Sequence, residues 1–490
     1  MQRENNKILK LLRGFTGMYK KLPVQVKASV WFTISSVIQK GIALLSTPIF
    51  TRLMIPEQYG VYSVYQSWYG IITIFATLHL YAGVYNNGMT KWPDKRPEFT
   101  SAMQGLSTTI TAILFAVYIC FRDFWNNAMG LSTMYVLAMF IEVLFVPAYR
   151  FWASGQRYDY KYTKLVAVSV LIGVMSPVIG ILTVISTEYK AEARVLSYVM
   201  VQVIVGMIIY IYNMTKGKKF YIKKYWRFAL AFNIPLIPHY LSQTILNQAD
   251  RIMIADMVGR DKAAIYSVAY TISMMFTIVT EAVNGTFIPY TYKAVKEKNY
   301  SALNKNAGFL VIMVGGFCIV AMAFGPEIIR LFAAPEYYEA RWIVPPVAEA
   351  LFFMFLYPLF CNIEFYFEKT KFIMIASSAA AAANIILNYF AIKMFGYIAA
   401  GYTTLMCYIL LSFAHYLFYC RIKKQYGIEA ELYNIKLLVG LSAASLAVMV
   451  FIVFIYDYII IRYAIIAVFT LAFLWKRKLI AEKFKELKKK

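Results

Sequence analysis

The sequence runs to 490 residues, of which 60% are hydrophobic and 15% charged, with a mean hydropathy of +0.57. A soluble protein carries about 25% charged residues. Apolar runs of about 20 residues recur from end to end, which excludes both a soluble globular fold and an outer-membrane barrel of short alternating strands.

A basic segment, residues 1–26, opens the chain. Apolar segments follow at 27–52, 58–84, 100–121, 128–149, 162–186, 194–214, 228–257, 263–289, 306–326, 343–367, 371–393, 397–419, 434–456 and 458–475. The reading is an all-α polytopic membrane protein of about fourteen spans. The first run is long and lacks a small-residue cleavage site, so it reads as a retained span rather than a signal peptide. Spans 1–6 fall in 27–214 and spans 7–12 in 228–422, joined by a basic linker at 215–227. Spans 13 and 14 occupy 423–475, and a basic tail covers 476–490.

The N-terminal segment, the tail and the loops around KWPDKR, RYDYKYTK and TKGKKFYIKKYWR hold most of the 50 lysines and arginines. Fourteen spans place all of these on one side, and the positive-inside rule makes that side, with both termini, cytoplasmic. The net charge of +25 is then a topology signal and an attraction to anionic lipid, not a nucleic-acid-binding surface. The outer loops leave no room for a soluble domain. Cys120, Cys318, Cys361, Cys407 and Cys420 are scattered without paired spacing, so they read as packing residues, and no metal or cofactor is expected.

Two features point to a carrier. GVYSVY (60–65) recurs as AIYSVA (264–269), overlaying span 1 on span 7 and span 2 on span 8 in parallel orientation. Parallel repeats build transporters whose site lies between two halves. In HYLSQTILNQADRIMIADMVG (239–259), the spacing places His239, Gln243, Asn247 and Asp250 on one helical face, with Arg251 at its margin.

The stretch KASVWFTISSVIQKGIALLSTPIFTRLMIPEQYGVYSVYQSW resembles the opening of polysaccharide and O-antigen flippases of the multidrug/oligosaccharidyl-lipid/polysaccharide exporter superfamily. IPLIPHYLSQTILNQADRIMIADMVGRDKAAIYSVAYTIS looks like the second-half signature of that family. ANIILNYFAIKMFGYIAAGYTTL is similar to its recurrent pattern in spans 11 and 12. The resemblance implies two six-helix lobes in a V around a central cavity, with two added C-terminal helices. It also implies movement of an undecaprenyl-diphosphate-linked oligosaccharide from the inner to the outer leaflet of a bacterial or archaeal cytoplasmic membrane. A polysaccharide polymerase and chain-length proteins would be its partners.

Such a substrate needs cations for the pyrophosphate and amides, hydroxyls and rings for the sugar. An ion in a helix centre costs about 2.5–3.5 kcal/mol, so an unpaired, lipid-facing cation is disfavoured. Lys40 and Arg251 are the candidate pyrophosphate ligands, each with the alternative of a structural ion pair, for Arg251 with Asp250. Arg52 and Arg150, near span ends, are further pyrophosphate candidates or else interface residues. Gln39, Gln243 and Asn247 are sugar-contact candidates or interhelical hydrogen-bond formers. Asp250, Glu142 and Glu281 are acids in apolar runs. One of them is expected to couple proton or sodium entry to export, the alternative being a partner for Lys40 or Arg251. His79, His239 and His415 read as packed residues rather than a relay.

The runner-up readings are a multidrug or toxic-compound exporter, which would favour acids over cations in the cavity, and a lipid-II-type flippase, which shares the pyrophosphate logic. An integral-membrane polymerase or acyltransferase would need a sizeable loop or a His-Asp cluster. The sequence has no phosphate-binding Gly-rich loop, so ATP is not expected to drive the cycle.

Overall fold

A computed structural model describes residues 23–467, except 82 and 465, together with 471. The basic segment up to residue 22 and the tail 476–490 lie outside the described residues, as does most of the fourteenth expected span. Among the described residues the chain is helical, with no strand.

The first half comprises α1 (Val24–Leu53), α2 (Pro56–Thr77), α3 (Gly83–Lys91), α4 (Arg96–Cys120), α5 (Arg122–Met129), α6 (Thr133–Tyr158), α7 (Tyr162–Ile185) and α8 (Lys190–Gly217). The second comprises α9 (Lys223–Asn233), α10 (Ile237–Met257), α11 (Arg260–Met274), α12 (Thr277–Lys296), α13 (Tyr300–Ala323), α14 (Gly325–Phe332), α15 (Val344–Tyr366), α16 (Thr370–Phe395) and α17 (Ala399–Gln425). One further helix, α18 (Ile435–Ile455), packs on α13 and α15.

Ten of the described helices are long and apolar enough to cross a membrane. The difference from fourteen has a physical cause. The expected spans at 58–84, 228–257 and 263–289 are each broken. The first stops where Leu78 and His79 both take left-handed backbone conformations, φ 47° and 54°. The next breaks at a 3₁₀ turn, Ile234–Leu236, where Pro235 and Pro238 withhold backbone donors. The third parts into α11 and α12 at Met275 and Phe276. Unwound backbone is tolerated at membrane depth only where protein or water satisfies it, and two of these three breaks border the cavity described below. At the Leu78 break, Asn233 Nδ2 of the second half donates to the freed Leu78 carbonyl at 2.6 Å.

The internal repeat is visible in the helix boundaries. Helix α1 ends at Leu53 and α10 at Met257, while α2 begins at Pro56 and α11 at Arg260. Helix α2 packs against both α10 and α11, so equivalent elements of the two halves form the seam between them. At that seam a Cβ on Gly60 would overlap the Arg260 carbonyl oxygen. Only glycine allows this approach.

Packing elsewhere follows the rules of lipid rather than water. Leu182, Ile208, Met394 and Phe454 are exposed on the bundle surface, as expected where the surrounding solvent is as apolar as the side chain. Helix α15 is the most enclosed, buried on nearly all faces. It carries two acids inside the second half: Glu349, which accepts from Ser445 Oγ at 2.6 Å, and Glu364.

Candidate functional site: a cationic cavity between the halves

A cavity of about 720 Å³ lies between the two halves. The first half contributes α1, α2, the break after α2 and α6. The second contributes α10 and the α11–α12 junction. Its size falls within the range of small-molecule sites.

Three cations reach it. Arg251 projects from α10, and its Nη1 donates to the Asn247 carbonyl at 2.5 Å and to Gln248 Oε1 at 2.8 Å. The guanidinium lies over the Tyr270 ring at 4.4 Å. Arg150 projects from α6 and donates to Tyr81 Oη at 3.0 Å, over a ring 5.0 Å away. Lys40 of α1 donates to Glu281 of α12 at 2.6 Å and to Thr277 Oγ1 at 3.3 Å. Among the described residues, neither Arg150 nor Arg251 makes an ion pair, whereas Lys40 does. Among the described residues, no aspartate or glutamate lines the cavity. Its wall therefore carries net positive charge, set among amide and hydroxyl groups of Gln243, Thr244, Asn247, Gln248, Tyr69 and Thr73.

The helical stripe differs from the one expected. Gln243, Asn247 and Arg251, four residues apart, form the cavity face, with Asn247 Oδ1 accepting from Tyr270 Oη at 2.9 Å. Asp250 points away, because adjacent helical residues project about 100° apart. Its carboxylate accepts from Tyr266 Oη at 2.6 Å, Asn388 Nδ2 at 2.5 Å and Thr404 Oγ1 at 2.7 Å, tying α10 to α11, α16 and α17. It is not the partner of Arg251. His239 also leaves the stripe, meeting Ser377 Oγ at 3.0 Å.

The remaining candidates take other positions. Arg52 stands exposed at the end of α1, bonded to the Pro48 carbonyl at 2.8 Å, outside the cavity lining. Gln39 turns toward α7, where its Cγ lies 3.3 Å from the position of a Cβ on Gly173, and its amide bonds back to Ser35. Glu142 is buried behind the wall and accepts from Tyr65 Oη at 2.7 Å. Glu281 is the partner of Lys40. Arg150, placed by sequence at a span end, reaches the cavity because α6 continues to Tyr158.

Reading the sequence missed Gln248, Tyr69, Tyr81, Tyr240 and Tyr270. The chain has 40 tyrosines, and nothing in the spacing separates cavity rings from interfacial anchors. Gln248 lies one turn from Thr244 and Arg251, and that spacing could have found it. His79 lines the cavity, and its ring stacks on Tyr240 at 4.3 Å.

A family profile described as "Polysaccharide biosynthesis protein" matches residues 26–295, and one described as "MatE" matches residues 235–390. Lsg locus putative protein 1 of Haemophilus influenzae is 24% identical over 238 residues, 44% of this chain and 58% of that protein. The chain thus aligns with less than two thirds of that relative. Among solved structures, a lipid II flippase, MurJ, in an inward closed conformation superposes with a TM-score of 0.70 at 15% identity, covering 92% of this chain and all of that one. An inward-facing MATE-family multidrug resistance transporter of the MOP superfamily gives 0.59 at 14% identity, covering 82% of this chain and all of that one. These likenesses fix the fold, and the profile spanning more than half of the sequence fixes the lineage: the chain belongs to the polysaccharide biosynthesis protein family, within the multidrug/oligosaccharidyl-lipid/polysaccharide exporter superfamily.

Proposed function

We propose that this protein is a flippase that carries an undecaprenyl-diphosphate-linked oligosaccharide across the cytoplasmic membrane. The observation that carries this reading is the pair of guanidinium groups, Arg150 from one half and Arg251 from the other, lining one cavity without an ion-pair partner among the described residues. Guanidinium binds phosphate oxygens in two-point fashion and is less strongly hydrated than ammonium. Gln243, Asn247 and Gln248 offer amides to sugar hydroxyls, and the polyprenyl tail stays in lipid.

Alternating access follows from rocking the halves about their seam. With the inside negative and both termini cytoplasmic, the membrane potential favours outward movement of the anionic diphosphate by about 2.3 kcal/mol per charge per 100 mV. The same field draws the emptied cationic cavity back. Proton or sodium coupling belongs to this reading, with Asp250, Glu142 and Glu281 as its acids. A polysaccharide polymerase and chain-length proteins would receive the exported unit.

A lipid-II-type flippase is the second reading, favoured by the overall superposition and sharing the diphosphate requirement. The cation-lined wall disfavours a carrier of cationic drugs. The test is exposure of a lipid-diphosphate oligosaccharide on reconstituted vesicles. Arg150→Ala and Arg251→Ala should each slow exposure about tenfold or more, since charge-assisted hydrogen bonds contribute about 1.5–3 kcal/mol. Lys40→Ala should slow it less. Wild-type rates in both arginine variants, at equal protein levels, would defeat the assignment.

A further inference from the structure

The three histidines stand far apart in sequence, at positions 79, 239 and 415, yet they converge in the fold. His79 lines the cavity from the first half and stacks on Tyr240 of the second. His239, beside Tyr240 on α10, meets Ser377 of α16. His415 of α17 meets Glu364 of α15, Nδ1 to Oε1 at 2.7 Å, with both side chains fully buried. His239 lies within electrostatic reach of both His79 and His415. The row therefore runs from the cavity wall into the interior of the second half.

Glu364 is set apart by the base beside it; Glu349, the other acid of α15, also has a buried oxygen without a hydrogen-bond partner but makes no ion pair among the described residues. Asp250 is saturated by three donors, and Glu281 is held by Lys40. The only ion-pair partner of Glu364 among the described residues is His415, and its Oε2 is buried without a hydrogen-bond partner. The groups facing the pair are Tyr357, stacked on His415 at 5.5 Å, Cys361 on α15, Tyr292 of α12 beyond Cys361, and His239 of α10. None is a fixed charge. A purely structural buried pair needs its remaining lone pairs satisfied, and here one carboxylate oxygen stands open.

We propose that the Glu364–His415 pair is a proton-binding site whose charge is felt at the cavity through His239 and the His79–Tyr240 contact between the halves. The proposal rests on reading the cavity as the passage of an anionic substrate. With one proton between them, the carboxyl and imidazole are neutral as a pair. A second proton, taken from water, leaves a carboxylic acid and an imidazolium, net charge +1. That charge adds to the field of Arg150 and Arg251, so proton and anion bind cooperatively, each strengthening the other by the same factor. It also opposes protonation of His239 and His79 at the seam, whose neighbouring Leu78 and His79 hold left-handed backbone conformations.

The test places one spectroscopic label on each half of the full-length protein in lipid nanodiscs, without ligand. The distance distribution is then followed between about pH 5 and about pH 8, the interval in which imidazoles change charge. The wild type should shift with pH. Glu364→Gln and His415→Gln should flatten the shift, and Glu349→Gln, a buried acid on the same helix, should keep it. Should either pair variant fail to fold, an acid-minus-neutral infrared difference spectrum of the wild type with isotope-labelled histidine serves instead. Carboxylic-acid and imidazolium bands rising with one midpoint support the site, and no new carboxylic-acid band overturns it. A wild type without a pH shift, or a shift that survives in both pair variants, also overturns it. The labels report shape rather than transport. Vesicles that fail to expose a lipid-diphosphate sugar, while the Glu364-dependent shift persists, would overturn the carrier reading and leave the proton site standing.

Discussion

Lys40 and Glu281 carry the one ion pair among the described residues that joins the two halves at the cavity. Both side chains are substantially accessible, 35% and 65%, and pairs of that kind contribute about 0–1 kcal/mol. A diphosphate, with more negative charge and with Arg150 and Arg251 already facing it, would displace Glu281 from Lys40. On the proposed reading, the pair is a weak tie that substrate would replace. Glu281→Gln should therefore strengthen binding of a lipid-diphosphate sugar several-fold, whereas Lys40→Ala should weaken it. Binding measured on purified protein checks this, and weaker binding by Glu281→Gln would refute the tie. The residue types at this site were readable from sequence: Lys40, Arg251, Gln243 and Asn247 interrupt apolar runs where an uncompensated polar group is expensive. Their partners were not. Glu281 stands 241 positions from Lys40, and the adjacency of Asp250 to Arg251 in the chain argued for a pair that helical geometry separates.

Single helices explain where sequence reading lost its way. A run such as 263–289 is predominantly apolar, so composition alone shows one span, while the backbone parts at Met275 and Phe276. Hydropathy registers the solvent, not the continuity of the hydrogen-bond ladder. The α10 helix shows the converse. Its polar residues were legible as a face, but the separation of about 60° around the axis between Asn247 and Asp250 divides that face between cavity and core. Asp250 gathers donors from three neighbouring helices, and interhelical hydrogen bonds in membranes contribute about 0.6 kcal/mol each, up to about 1.7. Asp250→Ala should thus lower stability by about 2 kcal/mol or more, and Asp250→Asn by less, as read from unfolding in detergent. An alanine variant as stable as the wild type would contradict this bracing role. Glycines give a second test. Gly60→Ala forces overlap with the Arg260 backbone and should cost about 1–3 kcal/mol. Gly41, with no atom near its Cβ position, should accept alanine with a gain of up to about 1 kcal/mol.

Across the whole molecule, the repeat is what makes a cavity between halves. Six residues of GVYSVY and AIYSVA sufficed to mark it, because the helix boundaries around them recur at the same offset. The fold class and the two-half organisation were legible for that reason. The Glu364–His415 pair was not, since an acid and a base 51 positions apart on different helices leave no local pattern. The account stands on the cavity receiving negative charge. Its most direct test is the affinity of purified protein for a short-chain prenyl-diphosphate saccharide, compared with a neutral prenyl saccharide and an organic cation. The wild type should prefer the diphosphate, and Arg150→Gln combined with Arg251→Gln should weaken that binding by at least about tenfold, or about 1.4 kcal/mol. Unchanged affinity in the double variant, or a wild type that prefers the organic cation, would contradict it.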